Sequence, residues 1–215
     1  MELGSILSLN SKISYTMKKN TAPILPDTYY HFYNRGNNST SIFRKEKDFV
    51  QFLILYEKYI PLVADTYAYC LIGNHFHLLV KTKSEIEIWK NFEIEDLSDC
   101  KPAASYISNQ FAKLFNSYTQ SFNKRNERTG SLFEHPFRRK EISDDVYFSK
   151  VVHYIHTNPR KHELCEDFTE YPFSSYYSHL FPRYQPVTLQ HQEVLDWFGG
   201  REQYIRFHRD LEEVL

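Results

Sequence analysis

The stretch Tyr67-Ala-Tyr-Cys-Leu-Ile-Gly-Asn-His-Phe-His-Leu-Leu-Val-Lys81 limits the possible folds more than any other part of the chain. It is rich in aromatic and branched residues and interrupted by Gly73-Asn74, so it reads as β structure with a bend or turn inside it. Strands are expected over Thr66–Gly73 and Phe76–Lys81, paired with each other. Side chains alternate along a strand, so His75 and His77 share one face and Phe76 points to the other. Two neutral imidazoles on one face can hold a divalent cation. The spacing alone fits two polar side chains on a wet face equally well, so a second element has to decide.

That element is Ser143-Asp-Asp-Val-Tyr-Phe-Ser-Lys-Val-Val-His-Tyr-Ile-His-Thr-Asn-Pro159. It reads as a helix, with Ser143 as N-cap and Asp144 and Asp145 favourably placed in the first turn. Phe148, Val152 and Ile155 recur at helical spacing and form a buried stripe. Pro159 disfavours helical geometry at Asn158, which places the expected end of the helix there. A second stripe runs Tyr147, Lys150, Tyr154 and Asn158. Tyr154 and Asn158 are one turn apart, which puts a nucleophile beside an amide oxygen that could complete a metal site. The plain alternative is a half-buried aromatic and a helix-end amide, in a chain with 17 tyrosines.

The rest of the chain supplies the frame. Thr28–Asn34 is expected to be a strand ending at an Arg35-Gly36 turn, and Lys45–Tyr59 a helix with Phe49, Phe52, Leu53 and Tyr56 on its apolar face. Ala103–Lys124 reads as a long helix burying Tyr106, Ile107, Phe111, Leu114, Phe115 and Tyr118. Leu132–Ile142 reads as strand, and Leu189–Leu215 as one or two short helices split by Gly199-Gly200. The order strand, helix, strand, strand, helix, strand, helix predicts an α+β architecture with helices packed on a mainly antiparallel sheet.

Charge is uneven. The net charge is −1, low for a DNA-binding protein, yet residues 101–160 carry ten Lys or Arg against five Asp or Glu. Residues 84–100 carry six acids and one lysine. The first segment offers a local basic surface, as expected if one face meets a polyanion. The second reads as a solvated acidic insert, or, on a sharper reading, as a gate over a groove. The hydrophobic content of 41% is enough for a real core in 215 residues. No run of eighteen apolar residues exists to span a membrane. Cys70, Cys100 and Cys165 show neither pairing nor metal spacing, which suits a reduced cytoplasm. Residues 1–26 lack a secretory hydrophobic region, and Met17-Lys-Lys-Asn20 looks like an ordinary start. Residues 1–27 are therefore expected to be a flexible arm or a start assigned too early.

Together, Asn74-His-Phe-His77 and Tyr154-Ile-His-Thr-Asn-Pro159 resemble the single-tyrosine HUH transposases, in particular the REP-associated tyrosine transposase branch. Tyr30-His-Phe-Tyr-Asn-Arg-Gly36 is similar to that family's first strand and turn, and Gly130-Ser-Leu-Phe-Glu-His-Pro-Phe-Arg-Arg139 to its central hairpin. Tyr171-Pro-Phe-Ser-Ser-Tyr176 is similar to its post-catalytic segment, and Val194-Leu-Asp-Trp-Phe-Gly199 to a helix of longer members. The resemblance spans about residues 28–210. Phe133 and Phe173 stand where the family usually carries Trp, and the acidic insert is a second departure.

The resemblance implies a ferredoxin-like HUH core over residues 28–165 and a C-terminal helical extension over 166–215. It implies His75, His77 and Asn158 as ligands of Mg²⁺ or Mn²⁺, and Tyr154 as the nucleophile that cleaves and rejoins single-stranded DNA through a 5′-phosphotyrosine. Single-stranded or hairpin DNA is the expected partner of a cytoplasmic monomer or homodimer. Arg35, Lys113, Lys124, Arg125, Arg128, Arg138, Arg139, Lys140 and Lys150 are the expected DNA contacts, with Phe133 and Phe137 near enough to stack on bases. No phosphate-binding Gly-rich loop suggests a nucleotide cofactor. The competing readings are a nucleic-acid-binding protein that keeps the fold without cleavage, a small-phosphoester hydrolase, and a relaxase.

Overall fold

The computed structural model describes residues 23–96, 98, 100–184 and 186–210. The first strand, β1 (Tyr29–Arg35), leads into helix α1 (Glu46–Tyr59), then strands β2 (Ala64–Ile72) and β3 (His75–Thr82). A short helix α2 (Glu85–Asn91) and the long α3 (Ala103–Arg125) follow, then strand β4 (Arg138–Glu141) and helix α4 (Asp145–Lys161). Three further helices close the described chain: α5 (Tyr176–Leu180), α6 (His191–Trp197) and α7 (Arg201–Asp210). The sheet order is β2-β3-β1-β4, and each neighbouring pair is antiparallel. This is the split β-α-β arrangement of a ferredoxin-like core, with α2 as an addition.

The sheet has two covered faces. On one, Tyr30, Phe32, Leu71, Phe76 and Leu78 pack against Phe52 and Tyr56 of α1 and against Phe111, Leu114 and Tyr118 of α3. On the other, Cys70, Ile72 and Leu79 meet Phe148, Val151, Val152 and Ile155 of α4, joined by Tyr176, Val194 and Tyr204 of the C-terminal helices. Each such large apolar side chain contributes about 1.5–3 kcal/mol by leaving water. The C-terminal helices therefore share a core with α4. A bridge between Cys70 and Ser174, and the bond from Leu71 N–H to the Phe173 carbonyl at 2.9 Å, tie the preceding segment to the β2 edge.

Several details depart from the sequence reading. Asp144, not Ser143, caps α4, accepting from the Tyr147 N–H at 2.7 Å. The helix also runs through Pro159 to Lys161. Thr157, Asn158 and Pro159 are all buried, and that packing overrides a local bias worth one lost backbone bond. Only residues 138–141 of the expected 132–142 strand pair with β1, and segment 130–139 makes no hairpin of its own. Pro136 has no N–H to give a ladder, and Phe133 makes an isolated bridge to Gly36 instead. Tyr106 is half-buried rather than buried.

The acidic insert forms α2, capped by Ser84 and Glu87, with Ile88 fully buried in the core under α1 and α3. That location is on the other side of the sheet from His75 and His77, so α2 does not gate them. Residues 23–27 are not a loose arm: Ile24 is buried, and Tyr30 Oη donates to the Pro23 carbonyl at 3.0 Å. The remainder of the expected arm, residues 1–22, and residues 211–215 lie outside the described residues. No described helix is long and apolar enough to cross a membrane.

Candidate active site

Strand register assembles the site. His77 lies opposite Tyr33 and His75 opposite Arg35, while Tyr33 also lies opposite Arg138 on β4. Directly opposed residues share a face, so these five side chains point to the side of the sheet that α4 covers. From α4, Tyr154 and Asn158 project from adjacent turns of one stripe. The Tyr154 ring meets the His77 ring edge-on, with centroids 5.2 Å apart. Asn158 Oδ1 lies 3.1 Å from His75 Nε2. A cleft of about 280 Å³ opens over this group, lined also by Asn74, Glu134 and His162.

Both imidazoles are held neutral. Burial lowers the pKa of His75, the hydrogen bond with Asn158 opposing it in part. Burial holds His77 well below its ordinary value, and the neighbouring His31 and His75 add to the effect. His31 is pushed down to about 3 by burial and by Lys140. The phenol of Tyr154 is raised by burial, with its hydrogen bond to Asn158 offsetting part of the shift. Lys161 Nζ sits 4.9 Å above the Tyr154 ring.

These residues fit a divalent cation. His75 Nδ1 is 2.7 Å from Asn74 Oδ1, and His77 Nδ1 is 2.9 Å from His31 Nε2. An outer partner on Nδ1 orients Nε2 as the donor atom, the usual support of a metal-binding histidine. Without a cation His75 Nε2–H donates to Asn158 Oδ1; with the proton on Nδ1 instead, both atoms would offer lone pairs to a cation between them. Their separation matches the edge of an octahedron with bonds of about 2.1 Å. Among the described residues no three His, Cys, Asp or Glu side chains group as a metal site, and the amide of Asn158 stands beside His75.

The expected DNA contacts are divided by the fold. Arg35 and Arg138 line the cleft, and Glu134 lies between them at 3.6 Å and 3.2 Å. Lys140 is on the same sheet face, 4.2 Å above the Tyr147 ring, which places Tyr147 away from the cleft. Arg139 points to the other face, over Phe137. Arg125 is paired with the buried Asp48 at 3.0 Å. Arg128 bonds Asn123 Oδ1 and the Ser131 carbonyl, holding its own loop together. Lys113, Lys124 and Lys150 are exposed and do not line the cleft. Phe133 is buried in the core against Phe115 of α3, and Phe137 is half-buried against the same ring.

His31, Tyr33, Asn74, Glu134, Lys161 and His162 join the site without having been singled out in the sequence. His31, Tyr33 and Arg35 alternate along β1, so parity could have grouped them, but only register shows which face they share with His75 and His77. His162 was hidden by the expectation that the helix stops at Asn158.

Two histidines of β3 lie under helix α4, whose Tyr154 faces them and whose Tyr147 does not, on an antiparallel split β-α-β sheet, the arrangement expected from the resemblance to the single-tyrosine HUH transposases. A Haemophilus influenzae protein assigned as a REP-associated tyrosine transposase is 24% identical over 144 residues, covering 66% of this chain and 71% of the relative. The solved structure of a REP-associated tyrosine transposase bound to a REP hairpin matches the fold with a TM-score of 0.53 at 14% identity. That match covers 79% of this chain and 89% of the other. No sequence-family profile matches. By sequence and by fold, the chain resembles the REP-associated tyrosine transposases.

Proposed function

We propose that the chain cleaves and rejoins single-stranded DNA next to a hairpin, with Tyr154 as nucleophile. The observation that carries this reading is the convergence of Tyr154 on His77 and His75 in one open cleft, with buried Asn158 behind His75. The Tyr154 oxygen forms a bond to phosphorus as the bond to the 3′ oxygen breaks. The phenolic proton leaves Tyr154, and the departing 3′ oxygen ends as a hydroxyl. The product is a 5′-phosphotyrosine, which keeps the phosphoester energy, so a second 3′-hydroxyl can reverse the step and join strands without a nucleotide cofactor.

A buried phenol is a poor nucleophile, since its pKa starts at about 10 and burial raises it further. The rigid α4 frame fixes the approach of the Tyr154 hydroxyl, one turn from Asn158. Held by His75, His77 and Asn158, Mg²⁺ or Mn²⁺ would supply charge stabilisation at the scissile phosphate. Arg35 and Arg138 flank the cleft as phosphate contacts.

The test uses hairpin oligonucleotides from the DNA flanking the gene, incubated with Mg²⁺ or Mn²⁺ and run under denaturing conditions. A protein–DNA adduct that disappears in Tyr154→Phe supports the proposal. Tight hairpin binding without an adduct under either metal replaces it with a binding protein that keeps the fold.

A further inference from the structure

A second, larger cavity of about 730 Å³ lies away from the cleft, between the segment on the β2 edge and the C-terminal helices. Its wall carries Tyr177 and Phe181, stacked with centroids 4.5 Å apart and interplanar angle 27°. They are 48% and 39% exposed. Few large aromatics among the described residues are exposed, so two stacked, exposed rings at the rim of a cavity stand apart. The Arg201 guanidinium lies 4.8 Å above the Phe181 ring, with one nitrogen anchored on the Leu180 carbonyl. Arg209 lines the same cavity from α7, with Glu170 as its one carboxylate.

Exposed aromatic faces next to guanidinium groups are the chemistry that holds unpaired nucleotides: bases stack on rings and phosphates meet the cations. Paired bases in a stem have no free face to offer. The cavity is also tied to the cleft. Tyr171, in its wall, donates its hydroxyl proton to the Leu71 carbonyl at 2.8 Å, and the next residue, Ile72, lies opposite His75. The β2 edge thereby links the wall of this cavity to the strand end beside the cleft.

We propose that this cavity is a second nucleic-acid site, which takes the unpaired strand flanking a hairpin by stacking bases on Tyr177 and Phe181 and seating phosphate at Arg201 and Arg209. It rests on the reading of the cleft as a DNA-cleaving centre and names where the flanking strand runs. Because the two aromatics are exposed, their replacement leaves the core intact.

The test compares binding of a hairpin oligonucleotide with and without an unpaired tail of about six thymidines, and of oligothymidylate alone, to wild-type protein and to Tyr177→Ala/Phe181→Ala. The expected result is a loss of about tenfold or more in affinity for the tailed hairpin and for oligothymidylate, with no change for the tailless hairpin. Tyr177→Phe, which keeps a ring, should bind as wild type. A tail containing 5-iodouracil should crosslink to the peptide bearing residues 177–181. Equal affinities of wild type and double variant for every probe, or crosslinks confined to other peptides, would overturn the proposal. Adduct formation at Tyr154 is read separately: its absence counts against the cleavage reading, while the affinity comparison still decides this one.

Discussion

Helix α4 separates two groups of histidines that share chemistry and differ in everything around them. On one side, His75 and His77 engage Asn74 and His31 through Nδ1 and face an open cleft. On the other, His156 is fully buried with both nitrogens bonded, Nδ1 to His208 Nε2 at 3.0 Å and Nε2 to Ser175 Oγ at 2.8 Å. His208 in turn bonds the Tyr204 carbonyl at 2.8 Å, and His153 and His179 complete the sealed group. The first group is left with donor atoms facing a space where a ligand fits. In the second, His156 and His208 spend their nitrogens on other protein groups and pin α7 to the helix that carries Tyr154, while His179 and His153 Nε2 are sealed in without a hydrogen-bond partner. A histidine pattern therefore predicts chemistry only when the second nitrogen and the open position are known.

The largest effect expected from this contrast is on chemistry. His77→Ala should lower adduct formation on the order of 10³-fold, with a melting temperature near that of wild type and hairpin binding retained. Full activity of the wild-type protein in chelator would remove the metal role. His156→Ala should do the reverse. It should cost about 3 kcal/mol of stability, measured by denaturant unfolding, because His208 and Ser175 lose a buried partner. At low temperature it should still form the adduct; a variant as stable as wild type would break the comparison.

Acid should separate the two groups further. His153 is lowered to about 4 and His208 and His179 to about 3, in each case chiefly by burial, and His156 lies well below its ordinary value for the same reason. In the unfolded chain these groups titrate near 6.5. Above that pH both states are neutral and the stability is fully present. Below it the unfolded state binds more protons, so stability is lost as pH falls from about 6.5 towards the folded values, by about 1.4 kcal/mol per pH unit for each histidine. Melting temperatures measured from pH 7 to pH 5 should fall steeply, and a flat profile would contradict the sealed group. The smallest effect is expected at His31. His31→Ala removes the partner of His77 Nδ1 and should weaken metal-dependent cleavage about tenfold, read as a higher metal concentration for half-maximal rate.

Much of this arrangement was legible in the residues. The alternation through Tyr67–Lys81 and the 3.6-residue stripe of Phe148, Val152 and Ile155 are local signals, and they located β2, β3 and α4 together with His75, His77, Tyr154 and Asn158. What could not be read depends on register and packing. His31 and Tyr33 join the site only because β1 lies between β3 and β4. Alternation gave Arg138 and Arg139 to opposite faces, which a count of basic residues cannot reveal. Arg125 and Arg128 looked like phosphate contacts, yet a buried carboxylate and loop carbonyls claim them. Pro159 failed to end α4 because its ring is buried with Asn158, an effect of tertiary contact on a local preference.

The most direct test of the central claim is denaturing electrophoresis of the protein with hairpin DNA flanking its gene, in Mg²⁺ or Mn²⁺, for wild type, Tyr154→Phe and Tyr33→Phe. The account predicts an adduct in wild type and in Tyr33→Phe and none in Tyr154→Phe, with hairpin binding kept in all three. An adduct that persists in Tyr154→Phe would place the nucleophile elsewhere and contradict it.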